Sequence, residues 1–472
     1  MASFAGRARN LKTQLQHSVV ALEAVLSEAG IAQLCAAVGH CGRTCFWRPA
    51  VVILTFLRQV LLPNCSCRQT VALTLNDPAF SAVRRRRPDG DPSAYCQARQ
   101  RLPLRLFERL ARGLSQRLEE PDRRWRGHRV RVVDGSSVSM PDTPQLQGVF
   151  PQPATQAPGC GFPVARLLAV FCWNSGACLE LLVDALRVGE VALLRRVLHT
   201  FKANDLVLAD RLFGNYTELA LLQARGVQAV CRVNRARRID WRAGRRLGKQ
   251  DRLMTWQRPA GASRSSPQRV AGGDLAAERM AELPATLTVR LVRITTQCRR
   301  AWRRRRIDLV TTLLDPAAYP PAALSELYQQ RWLAELSLRS LKTTLGMDIL
   351  RCKSPEMVRK ELFVFQIVYN LIRMLMRQAG RIHPADPQQL SFAGTRQRLL
   401  AVLPYWSGAR TPAARVRFLR RLLADIAADP LPTRPNRHEP RAIKRRRKSF
   451  PYLVHPRHIA QKTAHYDKRK RR

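Results

Sequence analysis

The chain has 472 residues, with 82 Lys and Arg against 34 Asp and Glu, giving a formal net charge of +48. At domain sizes of roughly 100–200 residues, this length predicts about two to four domains, or one with large insertions. A hydrophobic content of 46% excludes a wholly disordered basic protein, while the charge calls for a polyanion, nucleic acid ahead of an anionic membrane surface.

The N-terminus is basic and lacks the apolar core of a signal peptide. The most apolar stretches, 50–57 and 363–369, fall short of the about 20 residues that a spanning helix needs. Twelve cysteines scattered among hydrophobic neighbours read as reduced, buried thiols of a cytosolic protein. His40, Cys41, Cys45, Cys65 and Cys67 cluster in sequence, but the close pair is Cys-x-Cys and no second CxxC follows. Core cysteines are therefore the first reading and structural zinc the second.

Residues 1–118 read as a helical domain, with apolar residues at three- and four-residue spacing over 19–37 and 51–62. Arg84–Arg87 and the turn Pro88-Asp89-Gly90-Asp91 interrupt it. Ser93 then caps a short helix bearing Arg99 and Arg101, and Pro103 separates this from a helix over 104–118. Such a helix pair, with Arg on its exposed face, suits a DNA groove, and a solvated basic helix is the equal alternative.

From about 129 the texture changes to short β-branched runs. Strands are expected at 129–133, 165–173, 177–185, 205–209 and 228–233, with a hairpin turn at 174–176 and helices over 191–201 and 216–224. That order gives an α/β protein with a mixed sheet. A Gly-, Arg-, Ser- and Pro-rich stretch over 234–305, holding Trp241, Trp256 and Trp302, reads as an insertion. Another strand is expected at 307–314, a helix from 321 to about 345 and a further one over 355–377. From about 433 the chain is basic, rich in Pro and expected to be partly disordered.

Two carboxylates stand at the ends of apolar runs, Asp134 after Val132-Val133 and Asp210 after Leu208-Ala209. In open sheets, strand carboxyl ends are where ligands bind. The late helix carries Tyr328, Arg331, Glu335 and Lys342, whose offsets put them within roughly a 60° arc of an ideal helix. Trp332 and Arg339 fall beside that arc, while Ala334, Leu338, Leu341 and Leu345 form a separate apolar stripe. Asp142 reads as a turn residue, Asp184 and Asp205 as strand residues, and Glu326 as facing elsewhere. Three converging carboxylates repel one another unless a cation lies between them. Two Mg²⁺ ions suit such oxygen ligands, with Mn²⁺ as a substitute, and two-ion chemistry acts on phosphodiesters.

These residues identify a resemblance to bacterial insertion-sequence transposases of the DDE class. The match is to the cut-and-paste branch marked by Tyr-x2-Arg-x3-Glu-x6-Lys, the insertion sequence four family. Tyr328, Arg331, Glu335 and Lys342 match at the required spacing, Asp134 and Asp210 match the first two acidic positions, and the segments 93–103 and 341–362 extend the likeness. The resemblance implies an RNase H-like core over 119–390, interrupted by a β-rich insertion at 234–305. An N-terminal helical DNA-binding domain (1–118) precedes it, and a C-terminal helical region with a basic tail (391–472) follows. It implies Asp134, Asp210 and Glu335 as catalytic and metal-binding residues, with Tyr328, Arg331, Trp332 and Lys342 on the DNA end. Trp302 is the weaker stacking candidate, with Trp256 competing. It further implies binding of terminal inverted repeats, a hairpin intermediate, joining of 3′ ends to target DNA, a homodimer, and a cytoplasmic, nucleoid-associated protein. An RNase H-like nuclease and an inactive end-binding protein are the alternatives. The Tyr-Arg-Glu-Lys helix argues against the first and the intact acids against the second.

Overall fold

The computed structural model describes residues 26–41, 45–81, 89–119, 124–234, 236–259, 280–297, 304–409, 411–432 and 452–462. The charge runs 84–87, 444–448 and 468–472, together with Trp302, lie outside the described residues.

The N-terminal helices are α1 (Glu28–Ala37), α2 (Pro49–Leu61), α3 (Cys67–Leu75), α4 (Ser93–Arg101) and α5 (Leu104–Leu118). Ser27 and Ser66 cap α1 and α3 by accepting the Gly30 and Gln69 amides. The central strands are β1 (Arg129–Ser139), β2 (Val164–Cys172), β3 (Cys178–Ala185), β4 (Asp205–Ala209) and β5 (Gln228–Arg232). Helix α6 (Glu190–Val197) follows β3, and α7 (Tyr216–Gln223) joins β4 to β5. The stretch 234–305 contributes β6 (Arg245–Gly248), β7 (Asp251–Gln257) and β8 (Thr286–Gln297), and β9 (Arg304–Thr311) closes it.

All these strands form one mixed sheet of nine, in the order β3-β2-β1-β4-β5-β9-β8-β7-β6. β1 is antiparallel to β2 and parallel to β4, which is in turn parallel to β5. The insertion is therefore not a separate body among the described residues. Its strands extend the central sheet through β9, which pairs with both β5 and β8.

Helices cover both faces, which is why 206–209 of β4 reads as an unbroken apolar run. On one face Val132, Leu167 and Leu208 pack into a core shared with Phe56 of α2 and with Leu106, Leu110 and Leu114 of α5. Four later helices complete that layer: α8 (Pro321–Gln329), α9 (Trp332–Arg339), α10 (Pro355–Ile382) and α12 (Pro412–Ala427), with α11 (Phe392–Gly408) between the last two. On the other face Val133, Leu168, Val207 and Ala209 pack with Leu193 and Leu194 of α6 and Tyr216 and Leu219 of α7. Helix α10 also carries buried polar groups. Its Asn370 bonds both the amide and the carbonyl of Cys178 at 2.8 Å, and Tyr369 donates to the Gly176 carbonyl at 2.8 Å.

Three local expectations are corrected. β1 does not stop at Asp134 but runs to Ser139, because β2 offers it partners as far as Val164. The helix expected over 321–345 breaks at Gln330-Arg331, and its last turn, Ser340–Thr344, is a π-helix. The break is held by the Trp173 indole, which donates to Gln330 Oε1. Third, Arg99 turns inward rather than outward. It donates to Gln59 Oε1 at 3.1 Å and lies over the Phe56 ring at 4.5 Å.

One buried ion pair ties the extended half of the sheet to the helices. Arg290 of β8 is fully buried and grips Asp251 of β7 with both Nε (2.8 Å) and Nη2 (2.5 Å). Its Nη1 donates to the carbonyls of Asp315 (3.2 Å) and Tyr319 (2.8 Å), just ahead of α8.

Candidate active site

The acidic pair arises from strand register. β1 and β4 pair in parallel up to Val132 opposite Leu208. Two residues further on, Asp134 and Asp210 stand at the level where β4 has ended and β1 continues. Adjacent strands lie about 4.8 Å apart, so the register brings the two residues to the same end of the sheet. By the strand alternation Asp134 shares the face of Val132, the face on which Ala334 and Leu338 seat α9.

Each aspartate is fixed by local backbone. Asp134 Oδ1 accepts the Gly135 amide at 3.1 Å, and Asp210 Oδ1 accepts the Leu212 amide at 2.9 Å. Burial pushes the Asp134 carboxyl up to about 6. The Arg331 charge and the Gly135 amide pull it down, while Glu335 and Glu190 push it up. The loop after Asp210 turns back tightly. A Cβ at Gly214 would stand 2.3 Å from the Arg232 carbonyl oxygen, a backbone atom that cannot give way. Gly214→Ala is expected to cost about 1–3 kcal/mol, read as a lowered midpoint in urea unfolding.

The residues of the late helix meet this pair unequally. Arg331 Nη2 lies 2.5 Å from Glu335 Oε1, and its charge also reaches Asp134. Tyr328 is buried, its hydroxyl pushed up to about 12 by burial and pulled down by Arg331, with the charge of Asp210 also acting on it. Lys342 donates to Ser136 Oγ at 2.9 Å, tying the π-turn to β1 beside Asp134. Trp332 is 48% exposed, an unusual position for an indole. Glu335, with 56% of its side chain exposed, is turned to Arg331. Among the described residues no group of three or more His, Cys, Asp or Glu is gathered closely enough to hold a metal ion. The carboxylate oxygens of Asp134 and Asp210 are nonetheless of the donor type that Mg²⁺ or Mn²⁺ takes.

Other candidates fall elsewhere. Arg101 is exposed at the end of α4. Trp256 is core, with the Arg237 guanidinium over it at 4.0 Å. Asp205 is fully buried and pairs with Arg129 at 2.9 Å, Asp184 pairs with Arg196 at 2.5 Å, and Asp142 accepts Gln147 at 2.8 Å. Cys41 and Cys45 are exposed, whereas Cys65 is buried beside Thr70 Oγ1 at 3.1 Å.

The sequence did not single out Glu190 or Gly135. The Glu190 carboxylate sits directly on Gly135, and a Cβ there would stand 2.1 Å from Glu190 Cδ. Because β1 continues through Gly135, this is a glycine inside a strand, which marks close approach of another group.

The transposase DDE domain family model matches residues 125–371, which contain Asp134, Asp210, Tyr328, Arg331, Glu335 and Lys342. The chain is 28% identical over 411 residues, 82% of its own length and 85% of the relative's, to the transposase InsG for insertion sequence element IS4 of Escherichia coli (strain K12). It is 30% identical over 167 residues, 32% of its length and 55% of the relative's, to the putative transposase InsZ of the same organism. Among solved structures, the piggyBac transposase synaptic complex with hairpin DNA aligns over 88% of this chain and 85% of that one, with a TM-score of 0.42 and 10% identity. No described helix is long and apolar enough to cross a membrane.

Proposed function

Because the chain belongs to the DDE transposase family, of the IS4 kind, we propose that it moves its own insertion sequence by cutting and pasting DNA at Asp134, Asp210 and Glu335. The observation that carries this reading is the parallel register that sets Asp134 beside Asp210 under the helix bearing Glu335. On this reading the core is RNase H-like and the protein binds terminal inverted repeats. It forms a hairpin on the transposon end, joins 3′ ends to target DNA, and works as a homodimer in the bacterial cytoplasm.

The residues then divide the work. Asp134 and Asp210 would hold the divalent cation from the sheet, with Glu335 as the third carboxylate. When bound, paired Mg²⁺ or Mn²⁺ ions would activate the attacking oxygen and stabilise the leaving one. Arg331 pairs with Glu335 across one helical turn. A DNA phosphate offers its guanidinium a bidentate partner and so frees the carboxylate. Lys342 adds a second cation beside the strand, Tyr328 a hydroxyl donor, and the exposed Trp332 an apolar surface for an unstacked base. Trp302 and Arg101 remain further DNA contacts to be tried by substitution.

The test uses labelled linear DNA carrying the element's own terminal repeats, with Mg²⁺. Hairpin-ended excision products should form with the natural chain and vanish in Glu335→Ala. Nicked ends without hairpins would favour a nuclease, and cleavage persisting in Glu335→Ala would overturn the assignment.

A further inference from the structure

Glu190 opens α6 on the sheet face opposite Asp134. Its helix packs through Leu193 and Leu194 into the core containing Val133 and Leu168, and Leu168 is the register partner of Gly135. Asp134 belongs to the other face, with Val132. Only the missing side chain of Gly135 lets the Glu190 carboxylate come up against the sheet here, at the level where β4 has ended.

Two features offset the cost of placing the Glu190 carboxylate where two acids already stand. Arg166 of β2, one fifth to one third exposed like its partner, pairs with Glu190 Oε1 at 3.2 Å. The carboxylate also stands at the first position of α6, where the unpaired amides favour a negative charge. Burial pushes its carboxyl up, Arg166 pulls it down, and the charge of Asp210 pushes it up again, so the groups sense one another across the sheet end. Asp134 feels the charge of Glu190 in the same way.

We propose that Glu190 is a positioning residue of the acid pair: seated on Gly135 from the opposite face, its carboxylate backs Asp134 and Asp210 with negative charge and tightens their hold on a divalent cation. This rests on the reading of Asp134 and Asp210 as cation-holding residues. Glu190 touches neither DNA nor the reacting atoms. Without a cation the three charges repel one another, and a cation relieves all three at once. A simple brace for α6 would need the shape of Glu190, whereas this role needs its charge.

The experiment measures Mn²⁺ binding to the full chain by the electron paramagnetic resonance of free Mn²⁺, alongside circular dichroism. Glu190→Gln keeps the shape and loses the charge. It is expected to weaken Mn²⁺ binding on the order of tenfold, as changes to the shell behind metal ligands do. In cleavage assays its half-saturating Mn²⁺ concentration should rise by a larger factor than its maximal rate falls. Gly135→Ala keeps the charge but displaces the carboxylate, and should weaken binding in the same direction. Combining the two should add little to the effect of the stronger one, because both act through one group. Natural Mn²⁺ affinity in a folded Glu190→Gln, or a lowered maximal rate at unchanged affinity, would overturn the proposal. If Asp134→Asn instead binds Mn²⁺ like the natural chain, it is the acid site itself that fails, a result distinct from a failure of Glu190 alone.

Discussion

Asp134→Asn is expected to abolish strand cleavage and, in the same protein, to raise the thermal midpoint at neutral pH. The loss of activity follows from the site. A carboxylate that helps hold the cation contributes several kcal/mol of charge stabilisation, so cleavage should fall on the order of a thousandfold or more. The gain in stability follows from burial, which pushes the Asp134 carboxyl up to about 6. A carboxyl with a raised folded-state value favours folding most below the ordinary carboxylate range, and that contribution is lost as pH rises through the folded value. At neutral pH the natural chain therefore carries an ionised, partly buried group that asparagine relieves. Thermal scans of both proteins across pH check this. Their midpoints should converge below about pH 4, separate as pH rises from about 4 to about 6, and keep a constant gap above that. Equal midpoints at every pH would remove the burial argument, and retained cleavage would remove Asp134 from the site.

The second large effect lies far from the acids. Removing Asp251 by Asp251→Ala strands Arg290, which is fully buried, without its counter-ion. Breaking a buried pair from one side costs about 3–5 kcal/mol, because the remaining charge stays desolvated. Urea denaturation should show this as a lowered midpoint. Replacing both residues, as Asp251→Leu with Arg290→Met, should cost less than Asp251→Ala alone, since no unpaired charge remains. Cleavage should still suffer in the double variant. The Arg290 bonds to the Asp315 and Tyr319 carbonyls would be gone, and these lead into the helix that carries Tyr328. A double variant with full activity would show that this link does not position the site.

Much of the central sheet was legible because its strands are buried on both faces and bounded by turn residues. The runs 205–209 and 228–233 correspond closely to β4 and β5. The extension of β1 past Asp134 was not legible. Gly135, Ser136 and Ser137 have weak strand preference, and only pairing with β2 keeps them extended. The break at Gln330 was hidden for a similar reason. It rests on a bond from Trp173, a residue 157 positions away, while the local sequence favours a continuous helix. The four spaced signature residues stood out by their offsets and Asp134 and Asp210 by ending apolar runs, but neither pattern gave a sign that Glu335 is paired with Arg331. Glu190 was beyond reach, since its link to Gly135 exists only once α6 folds over the sheet.

The long helix α10 has a consequence for how the protein comes into being. Its 28 residues supply Phe365, Ile372 and Met376 to the same core as Leu106, Leu110 and Leu114, which the ribosome makes some 250 residues earlier. A nascent chain that has just emerged through Lys342 already holds every signature residue, yet the apolar faces of α2 and α5 still lack their cover. The frame around the signature residues is therefore completed only once α10 has been made, well after the last of those residues.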